Sequence, residues 1–306
     1  MEQSVAILMS TYNGEKYLEE QIISLLNQTY ANIFIYVRDD GSTDATLAIL
    51  EKYRSEHFVI FAEENIGVVG SFFELLKLAG EHDYYAFCDQ DDVWHNDKIM
   101  MAAAWLSEKA VMPQQDVALY CAGIEIVDEK LSHKGFYPQW KRPAGFENAM
   151  VQNIAAGLTS VMSAKLRNEL VAHMPNIKQI VMHDWWVYLV ASALGIVYYD
   201  SRPVVKYRQH GANNWGANAS GMNRWVKRIY KFLKAEEKGM VSMQLKEFER
   251  LFTFVLNDRC ERHLTAYFHN QSSLVLRLRY ICYTDVYRQT MTENLAFRIA
   301  YLLKAY

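Results

Sequence analysis

Neither G-x-G-x-x-G nor G-x-x-x-x-G-K-[ST] occurs in these 306 residues, which removes the glycine fingerprint of dinucleotide sites and the P-loop of triphosphate sites. Proline and glycine are scarce, at 5 and 14 residues, so the composition gives no case for low complexity or disorder. Cysteine is held to Cys88, Cys121, Cys260 and Cys282, with no C-x-x-C pair. That usage fits buried small side chains in a reducing compartment and not a disulfide or zinc framework. No internal repeat is present. Long apolar runs are missing too: the opening MEQSVAILMSTYNG begins acidic and reaches turn residues after a short apolar stretch, unlike a signal peptide or a membrane span. A cytoplasmic chain is expected.

What is present is a chain 51% hydrophobic and 22% charged, enough for one large domain with an appendage. Its net charge of -3 conceals a split. Residues 220–306 hold 15 Lys and Arg against 8 Asp and Glu, whereas residues 1–219 hold 17 against 27. The tail is basic and the body acidic, and an acidic body argues against general nucleic-acid binding, which needs a basic face along the phosphate track.

Strand and helix periods alternate along the first hundred residues. VAILMS reads as a strand, residues 15–28 as a helix with Leu18, Ile22, Leu25 and Leu26 on one face, and IFIYVRD as the next strand. Residues 44–53 follow as a helix, then FVIFAEE, a helix over 71–79, and YYAFCD. This order predicts an α/β fold on a parallel, doubly wound sheet, whose ligands sit beyond the carboxyl ends of the strands. Those ends are polar here: Ser10-Thr11-Tyr12-Asn13-Gly14, then Arg38-Asp39-Asp40-Gly41-Ser42-Thr43-Asp44, then Asn65-Ile66-Gly67, then Asp89-Gln90-Asp91-Asp92. Singly, Thr43-Asp44 reads as a helix cap and the Asn-Gly pieces as turns. Caps and turns do not account for two acidic clusters at two strand ends, which suit ribose hydroxyls, base imino protons or a divalent metal.

The stretches STYNGEKYLEEQIISLLNQTY, RDDGSTDAT, NIGVVGSF and FCDQDDVWHNDK resemble family 2 glycosyltransferases of the GT-A fold. Together with HDWW and YRQHG further on, DQDDVW resembles the bacterial rhamnosyltransferases that build cell-wall polysaccharides and O-antigens. The resemblance covers about residues 4–215 and implies a Rossmann-like, mostly parallel sheet flanked by helices, with inverting transfer from a nucleotide diphosphate sugar. It implies that Thr11, Tyr12 and Asp39 or Asp40 bind base and ribose, with Asn65 and Gly67 lining the same pocket. The family's D-x-D maps to Asp89-x-Asp91, followed by Asp92; Asp91 is the first choice for ligating Mn2+ or Mg2+, with Asp89 beside it. Like charges this close repel unless a cation or a shared proton neutralises them.

From the second half, the resemblance implies that Ala155-Ala156-Gly157-Leu158-Thr159-Ser160 approaches the donor sugar, Gly157 and Thr159 in particular. It places the general base at Asp184, where a helix begins, with His183 and Trp185 as sugar contacts. Arg208 and His210 follow a strand; His210 is expected on the metal or diphosphate, and Arg208 near diphosphate or sugar. The donor implied is dTDP-L-rhamnose, with a UDP-hexose as the alternative. A non-catalytic nucleotide-sugar binding module on the same fold is the reading from another class, and it has no need of a base at Asp184.

The expected division is a catalytic domain over 1–219, donor half 1–127 and acceptor half 128–219, followed by a helical region over 220–306. From Met222 the sequence MNRWVKRIYKFLKAEEKG reads as a basic amphipathic helix with Trp225, Ile229, Phe232 and Leu233 on one side. Such a helix suits an anionic membrane surface presenting a polyprenyl-linked saccharide acceptor, or packing on the catalytic domain or on a second subunit in a homodimer.

Overall fold

Six of the seven residues of β1 (Val5–Thr11) are buried, as a parallel strand covered by helices on both faces must be. The computed structural model describes residues 3–110, 116–136, 140–210 and 239–306. The first elements follow the reading from periodicity: α1 (Leu18–Leu26), β2 (Ile33–Asp39), α2 (Thr46–Glu51), β3 (Phe58–Ala62), α3 (Gly67–Leu78) and β4 (Tyr84–Cys88). On α1, Leu18, Ile22 and Leu25 join Val5, Ile7 and Met9 in one buried cluster. Leu26, expected with them, is 57% exposed, because one further step of 100° carries it off the stripe. α3 starts at Gly67, four residues before the expected Ser71. Gly67, at φ +79°, looks like a turn residue and hides the helix start.

Further along come β5 (Val93–Trp94), α4 (Lys98–Ala110), β6 (Ala118–Val127), β7 (His133–Phe136) and α5 (Phe146–Ala149). A 3-10 turn (Gly157–Thr159), β8 (Val161–Ser163), α6 (Ala164–Ala172), α7 (His183–Leu194) and β9 (Ile196–Arg208) follow. Among the described residues nine strands form one sheet in the order β3-β2-β1-β4-β8-β6-β9-β5, with β7 beside β6. β3, β2, β1 and β4 run parallel. Beyond β4 the sheet is mixed, since β8 pairs antiparallel with β4 and β6, while β9 lies parallel to β6. The fold is therefore GT-A-like α/β. Its order reverses at β1, with β2 on one side and β4 on the other, which is where an open sheet leaves a crevice beyond its carboxyl ends.

The chain divides into two compact units: Met1–Gln139, Ala155–Met174 and Gly195–Ala212 in the first, and Trp140–Ile154, Pro175–Leu194 and Asn213–Tyr306 in the second. In the second, α8 (Met240–Phe252) buries Val241, Leu245, Phe248 and Phe252 at helical spacing, with Phe248 edge-on to Trp186 of α7. α9 (Asp258–His269), α10 (Leu274–Tyr283) and α11 (Met291–Leu302) complete it. The boundary expected at 219 and 220, and the basic helix from Met222, lie outside the described residues.

Candidate active site at the carboxyl ends of the strands

The loops that leave β1, β2 and β4 are tied to one another by side chains. Thr11 Oγ1 donates to Asp39 Oδ1 at 2.9 Å, and Asp39 Oδ2 accepts from the Ser42 amide at 2.8 Å. Across the reversal point Gln90 reads the backbone of Tyr12 twice, accepting from its N–H at 2.8 Å and donating to its carbonyl at 3.0 Å. A Cβ at Gly14 would lie 2.3 Å from Gln90 Oε1, so the glycine is what lets this bracket close. The Tyr12 ring itself is half exposed.

Asp40 does a different task from Asp39. Its carboxylate pairs with the Arg38 guanidinium and accepts from the amides of Ile66 and Gly67 at 2.9 Å each. Those amides belong to the start of α3, where a negative charge is stabilised by the positive end of the helix dipole. Asp40 and Arg38 are 3% and 4% exposed. Asp40, expected as an alternative to Asp39 against base or ribose, is thus turned inward to fix the loop before α3. Asn65 and Gly67 on that loop are exposed, with Asn65 Oδ1 accepting from the Gly67 amide at 3.1 Å.

The acidic rim separates into unlike members. Asp91 Oδ2 meets His210 Nε2 at 2.8 Å, with both side chains partly open to solvent. Asp92 is fully buried and accepts from the Arg208 amide at 3.0 Å. Burial, then the Asp91 and Asp89 charges, push its carboxyl well above the usual carboxylate range. Lys98, also fully buried, is pushed well below its usual range by burial. Its amine donates to the Leu158 carbonyl at 2.7 Å and lies over the Trp94 ring. Asp89 stays partly exposed at the end of β4.

Arg208, expected near diphosphate or sugar, stands beside the Asp91–His210 pair. The residue is 1% exposed, and its guanidinium donates to the carbonyls of Asp91 at 2.9 Å and Glu129 at 2.7 Å while pairing with Glu20. It also packs over the Tyr17 ring, which the His210 imidazole meets with centroids 4.9 Å apart. Arg208 is therefore a clamp that sets the Asp91–His210 pair. Thr159, expected near the donor sugar, is fully buried, and its hydroxyl accepts from the Ala122 amide at 3.2 Å and donates to the Ala156 carbonyl at 2.9 Å. Gly157 opens the 3-10 turn and is buried.

His183, Asp184 and Trp185 stand in the first turn of α7 in the second unit. Asp184 accepts from the Trp185 amide at 2.7 Å, and Trp185 Nε1 donates to the Ala149 carbonyl at 2.7 Å. Trp185 is 9% exposed. Burial pushes the His183 imidazole below its usual range and keeps it neutral.

The family model "Glycosyl transferase family 2" matches residues 6–159. The chain belongs to glycosyl transferase family 2. Among curated relatives, the dTDP-rhamnosyl transferase RfbG of Shigella flexneri is 31% identical over 226 residues, covering 69% of this chain and 75% of that protein. An uncharacterized glycosyltransferase of Rickettsia typhi is 29% identical over 216 residues, covering 68% of this chain and 64% of its own length. Of solved structures, S. aureus TarS 1-349 in complex with UDP-GlcNAc is similar at a TM-score of 0.58 and 18% identity, over 96% of this chain and 89% of that one. A mannosyltransferase of Pyrobaculum calidifontis, in complex with GDP-Man and Mn2+, has a TM-score of 0.54 at 14% identity, over 100% of this chain and 86% of that one. These structures establish the GT-A-like fold.

In this family 2 glycosyltransferase, which acts on a nucleotide sugar, the matched region contains every strand-end loop described above except the Arg208–His210 segment. Among the described residues no three His, Cys, Asp or Glu side chains group as a cage for a metal. The donor set of Asp91 and His210 nonetheless fits a divalent cation shared with a ligand, because Mg2+ and Mn2+ take one or two carboxylates and fill the remaining positions with phosphates and water. Sequence reasoning missed Gln90, Arg38 and Lys98. A Gln that hydrogen-bonds backbone leaves no charge pattern, and Lys98 reads as an ordinary surface lysine of a helix.

Proposed function

We propose that this glycosyltransferase moves L-rhamnose from dTDP-L-rhamnose, with inversion, to a hydroxyl of a growing, lipid-linked bacterial surface polysaccharide. The observation that supports turnover is the Asp91–His210 pair, 2.8 Å apart, set by a buried arginine at the rim of a family 2 sheet. The donor identity leans on the Shigella flexneri relative named a dTDP-rhamnosyl transferase. Thr11, Tyr12, Asp39, Asn65 and Gly67 would receive base and ribose, with Asp89 beside them. Asp91 and His210 would hold a divalent cation, which when bound supplies positive charge to the departing diphosphate. The acceptor oxygen attacks the anomeric carbon, the bond from that carbon to the diphosphate oxygen breaks, and Asp184 takes the acceptor proton. The basic C-terminal region would hold the enzyme at the inner face of the cell membrane.

Thermal unfolding against a panel of nucleotide sugars, with and without Mn2+, tests this directly, since a bound donor stabilises by linkage. dTDP-rhamnose is expected to raise the transition and Mn2+ to increase the rise. Asp184→Asn is expected to keep that stabilisation while transfer falls on the order of 100-fold, the usual scale for a general base. A UDP-hexose that stabilises and is consumed while dTDP-rhamnose is ignored overturns the donor. Loss of donor affinity with undiminished turnover in the Asp184 variant makes that residue a binding group.

A further inference from the structure

The second unit contains a cavity of about 930 Å3 whose wall carries Arg142, Arg259, Arg262 and Arg279 together with Tyr280 and Tyr283. None of the roles given above uses it. Two carboxylates share the wall, Glu147 and Asp285. Glu147 is 5% exposed and already committed, accepting from Arg259 Nε at 2.6 Å and Nη2 at 2.9 Å and facing His263 Nε2 at 2.9 Å. Arg142, Arg262 and Arg279 have no carboxylate partner among the described residues. Arg142 lies 3.8 Å from the Tyr287 ring centroid and donates to the Arg288 carbonyl at 3.3 Å, while Arg262 donates to the Asp258 carbonyl at 3.0 Å. Arg142, Arg262 and Arg279 are exposed, so solvent screens their like charges and leaves their planar forks open to phosphate oxygens, which they match in pairs.

The neighbouring surface is apolar. On α10, Leu274, Val275 and Leu278 are 56%, 74% and 45% exposed. At 100° per residue they form one face, and Arg279 and Tyr283 lie on the next face round, toward the cavity wall. A volume of this size takes a headgroup of several rings or phosphates, and the strip beside it suits a hydrocarbon chain.

We propose that this cavity binds the phosphoryl or diphosphate group of a lipid-borne saccharide acceptor, with the lipid lying along α10. The assignment rests on the reading of the chain as a transferase to a lipid-linked saccharide. Farnesyl diphosphate is the probe, titrated against the full-length protein by calorimetry, with inorganic pyrophosphate as competitor and farnesol as the uncharged control. Binding is expected for farnesyl diphosphate, with displacement by pyrophosphate and none for farnesol. The R262Q/R279Q variant is expected to weaken it about tenfold or more, with R262K/R279K retaining part of the affinity. Thermal stabilisation by dTDP-rhamnose is expected to be the same in all three proteins. Absence of farnesyl diphosphate binding, or equal affinity in the R262Q/R279Q variant, overturns the proposal. Arginine-dependent binding in a protein that no nucleotide sugar stabilises keeps the cavity and removes the transferase reading. Arginine-dependent capture on phosphatidylglycerol vesicles that displaces the probe supports the phosphoryl site and names the bilayer headgroup as its source.

Discussion

Asp91 and Asp92 are adjacent in sequence, yet one meets His210 at the solvent edge and the other is sealed with an amide of Arg208 on it. Asp91 has an imidazole partner and an outlet to a ligand, whereas Asp92 has the Arg208 amide and no outlet, and burial disfavours its charged form. Asp91→Asn is therefore expected to lower transfer about 100-fold or more and to abolish metal-dependent binding of nucleoside diphosphate. Asp92→Asn keeps an oxygen for the Arg208 amide and removes a carboxyl whose charged form burial already disfavours. It is expected to stay within about fivefold of the parent, well below the loss of an essential catalytic group. Steady-state rates and nucleotide titrations with and without Mn2+ separate them. Equal losses in both variants would mean that the metal set extends to Asp92. From the sequence these carboxylates are three of one kind, because exposure is a property of the packed chain and leaves no mark on residue type.

Among the elements, β1 to β4 and their helices were legible because each buries a face long enough to print its period. β5 and β8, with two and three residues, are too short to show one, and β8 turns the sheet antiparallel. The site was legible as a set of strand-end loops, while the division of labour within it was not. Asp39 and Asp40 illustrate the reason: adjacent residues at a strand end point to opposite faces, so one reaches toward Thr11 and Ser42 and the other toward Arg38 and α3. Arg208 shows the same limit, since the guanidinium that suits a diphosphate serves equally well on carbonyls. The Asp40 pairing makes a testable statement about α3. Asp40→Asn leaves the Arg38 guanidinium buried without its counter-charge and removes the anion from the helix start, and breaking a buried pair in this way costs about 3 kcal/mol. Urea unfolding is expected to show a lower midpoint at an unaltered slope. An unmoved midpoint would mean that Arg38 is neutralised elsewhere.

At the scale of the whole molecule, the excess of 15 basic over 8 acidic side chains after residue 219 coincides with apolar surface on the same part of the chain. On α11 Met291, Leu295 and Ile299, and then Leu303 just beyond it, are 90%, 53%, 42% and 58% exposed, and their spacing of four puts them on one face. Among the described residues no helix is long and apolar enough to cross a membrane. A shallow association answers to both features: each Lys or Arg near an anionic surface contributes about 1 kcal/mol, and the exposed face adds burial of its own. Co-sedimentation with vesicles is expected to require anionic lipid and to weaken with added salt as the Debye length shortens. It should fall when Lys227, Arg228 and Lys231 are neutralised, and fall independently when Leu295 and Ile299 are changed to Ser. A second copy of the chain covering α11 would produce a different pattern. In that case the serine variant lowers the mass measured by light scattering, and anionic vesicles capture neither protein at low salt.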